Sequence, residues 1–113
     1  MPIEQWSERI SIVHLAADPH LAENLQTAHE LTSGKPVDLV LDFGAVRYLN
    51  SSHIARLLKL RKTMTSDGNR LILCALDTQV WSAFLVTGLD KIFEFADSVP
   101  TALAALQIEQ QRQ

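Results

Sequence analysis

The chain has 113 residues, 47% of them apolar and 20% charged, which describes one globular domain with a single modest core. A net charge of -3 and a pI near 5.7 argue against nucleic acid or an anionic membrane as the main partner. No charged start leads into an apolar run, and the longest apolar stretch, Leu71 to Leu76, is far too short to cross a bilayer. A cytoplasmic protein without membrane insertion is expected.

Met1 to Glu8 is a weak candidate for an edge strand, because Pro2 and the charges oppose it. Ile10 to Leu15 is rich in β-branched residues and reads as a strand. Asp18 before Pro19 is a helix-entry signal, with Asp18 as the cap and Pro19 at the first helical position. Leu21, Leu25, Ala28 and Leu31 follow at helical spacing, and Ser33 to Pro36 ends the helix with a glycine and a proline. Val37 to Phe43 has the apolar density of a strand covered on both faces.

Asn50 then caps a second helix, Ser51 to Ser66, whose buried side is marked by Ile54, Leu57, Leu58 and Met64 and which stops at Asp67-Gly68-Asn69. Arg70 to Ala75 is another interior strand, and its Cys74, the only cysteine, is read as a small buried side chain that forms no internal disulfide. Asp77 caps a third helix with an apolar stripe of Val80, Trp81, Phe84 and Leu85, ending at Gly88. Ile92 to Phe95 is a short strand. Ser98 or Asp97 caps a last helix with Ala102, Leu103 and Leu106 inward.

Alternating strands and helices predict an α/β fold, a mostly parallel or mixed sheet of about four strands flanked by about four helices. The predicted domain spans 1–113, with its core at about 10–106 and a polar tail from 107. Sites in such folds gather at the carboxyl ends of the strands, where both the Asn50-Ser51-Ser52 turn and Asp18 fall. A serine in the first helical turn lies among unpaired backbone N–H groups and tolerates an added negative charge.

Ser51, Ser52 and His53 do not read as a nucleophile and its base, because helical neighbours point about 100° apart and no G-x-S-x-G elbow is present. The four histidines, His14, His20, His29 and His53, lack metal-binding spacing, and no glycine-rich phosphate loop is visible. The expectation is therefore no catalytic residue, no metal and no cofactor. Arg56, Lys59, Arg61 and Lys62 make the second helix basic on its outer side. Arg56, one turn beyond the serines, is a candidate contact for an acidic partner surface.

Several motifs, in order, resemble the STAS domain of the anti-sigma factor antagonist type over roughly residues 10 to 106. Leu49-Asn50-Ser51-Ser52 after the second strand is similar to that family's Asp-Ser-Ser/Thr-Gly turn. Leu57-Leu58 with Arg61, followed by Asp67-Gly68-Asn69-Arg70-Leu71, is similar to its helix, glycine turn and next strand. Phe84 to Phe93, with Gly88-Leu89, resembles its Leu-x-x-x-Gly-Leu-x-x-hydrophobic-Phe signature and is the most specific match.

The resemblance implies a non-enzymatic regulatory module whose serine at the Ser51 position is phosphorylated by a partner anti-sigma factor, a GHKL-type serine kinase, with a phosphatase that resets it. Ser52 is the second choice. It further implies that Asp18 contacts the partner, alongside Asn50, Ser51, Ser52 and His53. Three departures stand out: Asn50 replaces the family's Asp, His53 replaces its Gly, and Leu15-Ala16-Ala17-Asp18 replaces a glycine-containing motif. These departures leave open an alternative, a structural subunit of a stressosome-type scaffold or of an ABC transporter, without phosphoswitching.

Overall fold

A computed structural model describes residues 3–111. Five strands form one sheet in the order β1-β2-β3-β4-β5: β1 (Ile3–Ser7), β2 (Ile10–His14), β3 (Asp38–Asp42), β4 (Leu71–Cys74) and β5 (Glu94–Ala96). β1 pairs antiparallel with β2, and every other pair is parallel. The helices are α1 (Leu21–Thr32), α2 (Ser51–Ser66), α3 (Thr78–Thr87) and α4 (Val99–Gln111), with a single 3-10 turn at Leu89–Lys91. The predicted α/β class holds, and the weakly signalled edge strand is real, giving five strands rather than four.

Strand alternation divides the core between the two faces of the sheet. Val13, Leu39, Leu41, Leu71 and Leu73 point to one face and pack with Leu21, Leu25 and Ala28 of α1, Leu57, Leu60 and Met64 of α2, and Val80 and Phe84 of α3. Ile10, Ile12, Val40, Ile72 and Cys74 point to the other, where Ala102 and Leu106 of α4 cover them. Three helices thus lie on one side and one on the other. Cys74 is buried as expected, and burial pushes its thiol up to about 12.

Several helix details differ from expectation. Leu31 is 40% exposed and Leu58 36% exposed, while Thr32 and Leu60 are buried. Ile54 is only half-buried. The α2 stripe runs instead through His53, Leu57, Leu60 and Met64, a regular helical series in which the imidazole holds the first place. On α3, Val80 and Phe84 are buried but Leu85 is exposed, and Trp81 is half-buried against the edge of Phe95, ring centroids 4.9 Å apart. The polar tail predicted from 107 is helical through Gln111, because Leu106 anchors it and Gln110 donates to Asp38 at 2.9 Å; Arg112 and Gln113 lie outside the described residues.

The caps that set the loop geometry follow the sequence. Asp77 accepts from the Val80 N–H at 2.8 Å, and Ser98 accepts from the Thr101 N–H at 3.3 Å. Gly88 closes α3 at φ 74°, a left-handed conformation open to glycine at little cost. That turn brings Leu89 back onto the main core, as the motif anticipates.

Candidate partner-binding site

The site begins with the cap of α2. Asn50 is extended at φ -99° and ψ 176°, and its side-chain oxygen accepts from the His53 N–H at 2.9 Å. In return, the Asn50 N–H donates to His53 Nδ1 at 3.1 Å. This reciprocal arrangement is a capping box in which histidine takes the place usual for Glu or Gln. Two helix-end donors are satisfied in this way, one by the exposed Asn50 side chain and one by the His53 ring, which is only 3% exposed.

An acceptor at Nδ1 fixes the tautomer, so Nε2 carries the proton. Nε2–H donates to Asp18 Oδ1 at 3.0 Å. The other Asp18 oxygen accepts from the Tyr48 hydroxyl at 2.6 Å, which raises the Tyr48 phenol above its ordinary 10. The Tyr48 and His53 rings also meet edge-on, centroids 6.3 Å apart.

Asp18 therefore does not cap α1. Both of its oxygens serve the α2 side, and α1 starts later, at Leu21, with His20 before it making no side-chain cap. The loop from β2 to α1 is shaped instead by Asn24, whose side chain accepts from the Ala16 N–H at 2.8 Å.

The predicted residues fall into two groups. Asp18, Asn50 and His53 form one connected network, with Ser51 and Ser52 exposed at its edge. Among the described residues neither serine hydroxyl enters a hydrogen bond. Arg56 stands apart from this group. Its guanidinium turns toward α1 and donates to Gln26 at 3.2 Å, and on the helix it lies about 140° around from Ser51.

The sequence reading missed Tyr48 as a site residue, although it opens the stretch that contains the serines. It also missed the wall that Tyr48 builds. α2 packs along α1 but has little backbone contact with α3, leaving an open cleft of about 430 Å³ lined by Tyr48, Leu49, Ile54, Ala83 and Val86 together with the polar Gln79, Ser82 and Thr87. Tyr48 is 52% and Val86 86% exposed. The signal was present in Val86, an apolar residue off the buried stripe of α3. Among the described residues, no three of His, Cys, Asp and Glu gather to hold a metal ion, and no helix is long and apolar enough to cross a membrane.

Known structures share this fold. An anti-sigma-factor antagonist (STAS) domain protein from Planctomyces limnophilus superposes with a TM-score of 0.79 at 17% identity, covering 93% of this chain and 97% of its own. A sulfate transporter family protein from Wolinella succinogenes gives 0.80 at 14% identity, over 93% and 90%. The RsbS protein of Moorella thermoacetica, in a form with one serine replaced by glutamate, gives 0.74 at 19% identity, over 97% and 99%. At such identities the likeness is one of fold. The family model named STAS domain matches residues 4–102, nearly the whole sheet, the first three helices and the start of α4, and the chain belongs to the STAS domain family.

Proposed function

We propose that this chain is a non-enzymatic regulatory binding module of the anti-sigma factor antagonist kind. It engages an anti-sigma factor with serine kinase activity through the Asn50–His53 turn and is switched off by phosphate on Ser51, which a phosphatase removes. The supporting observation is the placement of Ser51: exposed, at the first helical position of a firmly capped helix, with its hydroxyl free. Ser52 is a poorer target for such a switch, because it turns toward the flank of α2 away from the cleft.

In this reading Asp18 and His53 act by holding the turn. Their polar atoms are engaged inside the protein, so the partner meets Asn50, Ser51 and the exposed ring of Tyr48. A phosphate adds about −1.5 to −2 charges. The helix N-terminus favours that charge by about 0.3–1 kcal/mol, so the fold survives it and the partner interface does not. The competing reading, a scaffold or transporter subunit without a switch, draws support from His53, which fills the place where a glycine would admit a partner backbone.

Ser51→Asp is expected to melt within about 4 °C of the wild type and to lose at least tenfold in affinity for the anti-sigma factor recovered from the native cell. Mass spectrometry of the native protein should find phosphate on Ser51. Unfolding of Ser51→Asp, with binding lost for that reason, would sink the mechanism. A phosphate-free protein whose Ser51→Asp variant binds normally would leave the scaffold reading.

A further inference from the structure

A second concavity lies on the other flank of α3, away from the cleft beside Tyr48. It encloses about 310 Å³ at the carboxyl ends of β4 and β5 and is lined by Leu76, Trp81, Phe95, Ala96 and Asp97. Ligand sites in open α/β sheets collect at such strand ends. At about 100° per residue, Trp81 sits about 160° around α3 from Gln79 and Ala83, which line the cleft. The aromatic wall is held from behind: Trp81 meets Phe95 with ring centroids 4.9 Å apart, and Phe95 meets the buried Phe84 at 5.2 Å. The one ionisable group in the lining is the exposed Asp97 carboxylate, and no basic side chain lines the pocket. Among the described residues Asp97 enters no ion pair. Ala75, just before Leu76, is held at φ 60°, a left-handed conformation uncommon outside glycine and met most often at ligand sites. The Cys74 carbonyl accepting from the Phe43 N–H on one side and the Asp77 cap of α3 on the other fix that turn.

We propose that this pocket binds a small organic ammonium ion, its apolar body against Leu76, Trp81 and Phe95 and its charged nitrogen at Asp97. A cation within about 6 Å of an indole ring is attracted to its face, and a carboxylate without a counter-charge of its own supplies the ionic hydrogen bond. Asp97 opposes an anion, and a neutral apolar ligand forgoes both attractions. At about 310 Å³ the space is near the lower end of the usual range for ligand sites, about 300–1,000 Å³, and suits one ring or a short chain. Trp81 and Phe95 are already positioned by the core, so binding orders little of the protein. The turn at Ser51 stays open when the pocket is filled.

The test uses phenethylamine, phenethyl alcohol and phenylacetate, which carry a similar ring beside a positive, a neutral and a negative group. Titrated into ¹⁵N-labelled protein near neutral pH, the amine should shift the Trp81 indole N–H and the amides of Leu76, Ala96 and Asp97. It should bind about fivefold tighter than the alcohol, and phenylacetate should bind more weakly than either. Asp97→Asn, at an exposed position, should melt like the wild type, bring the amine down to the affinity of the alcohol and leave the alcohol unchanged. Trp81→Leu should weaken amine and alcohol alike. Shifts confined to other residues, equal binding of amine and alcohol, or a preference for the amine that survives in Asp97→Asn would overturn the proposal. Failure of the amine to give saturable shifts up to about 10 mM would do the same.

Discussion

Two histidines of this domain sit beside carboxylates and do opposite work. His53 is buried in the stripe of α2, accepts at Nδ1 from a backbone N–H and donates at Nε2 to Asp18. His14, at the end of β2, is 45% exposed and lies between two carboxylates, with Nδ1 at 2.7 Å from Asp42 and Nε2 at 3.1 Å from Glu4. Hydrogen bonds to Asp42 and Glu4 hold the His14 pKa above its ordinary 6.5. One imidazole serves as a shaped part of the core with a fixed tautomer. The other bridges two carboxylates and so ties β1 and β3 to β2. What separates them is the partner at the second nitrogen: a backbone donor at His53, a carboxylate at His14.

The largest effect should come from breaking the buried member. His53→Ala removes a core side chain and leaves the Asn50 N–H and Asp18 without their partner, at a cost of about 2–4 kcal/mol in chemical denaturation. His53→Leu separates the two contributions, since it refills the stripe without restoring either hydrogen bond. If His53→Leu is as stable as the wild type, the network contributes only shape, and the contrast with His14 disappears.

Asp18→Ala should cost less, about 1–2 kcal/mol, because the carboxylate is partly exposed. Its effect should not add to that of His53→Ala. The double variant is expected to fall short of the sum by at least about 0.5 kcal/mol. Additive losses would mean that the loop after β2 and the start of α2 are not coupled.

The difference in legibility between these two histidines is instructive. Strands, caps and the Gly88 turn were readable because each depends on neighbours in the chain: Asp77 with Val80, Ser98 with Thr101, Gly88 with Phe84 and Leu85. Asn50 was readable as a cap for the same reason. Asp18 was misread as a cap because its true partners, Tyr48 and His53, lie 30 and 35 residues away. His53 escaped the α2 stripe because an imidazole does not count as apolar, yet the spacing of 53, 57, 60 and 64 is the regular one. Pairing Leu58 with Leu57 instead took an adjacent residue, about 100° away on the wheel, as a second core position. The His14 ties to Glu4 and Asp42 depend on strand register, which the sequence does not display.

His14 should yield a smaller effect, visible only through pH. A folded-state pKa above the unfolded value gives stability that is fully present below about 6.5 and lost as pH rises through the raised value. With both partners near the surface, the contribution is less than about 1 kcal/mol. His14→Gln should therefore be less stable than the wild type at pH 5.5 and equal to it at pH 9. Hydrogen exchange in Ile3–Ser7 should report the same window, because Glu4 is the contact on β1. A difference that persists unchanged at pH 9 would assign His14 a neutral role like that of His53.

Asn50→Asp is the smallest change and the sharpest on what separates the pair. It gives His53 a second neighbouring carboxylate, the arrangement found at His14, while keeping a side-chain oxygen to accept from the His53 N–H. Asp caps a helix about as well as Asn, so stability should shift by no more than about 0.5 kcal/mol. The backbone N–H of residue 50 still points at Nδ1, and Nδ1 cannot carry a proton while it accepts that bond. Imidazole ¹⁵N shifts should therefore show the Nε2–H tautomer in both proteins near neutral pH. A doubly protonated ring in Asn50→Asp would mean that nearby charge, rather than the backbone donor, sets the state of His53. The reciprocal cap would then be a consequence of the surrounding charges instead of the feature that fixes the turn beneath Ser51.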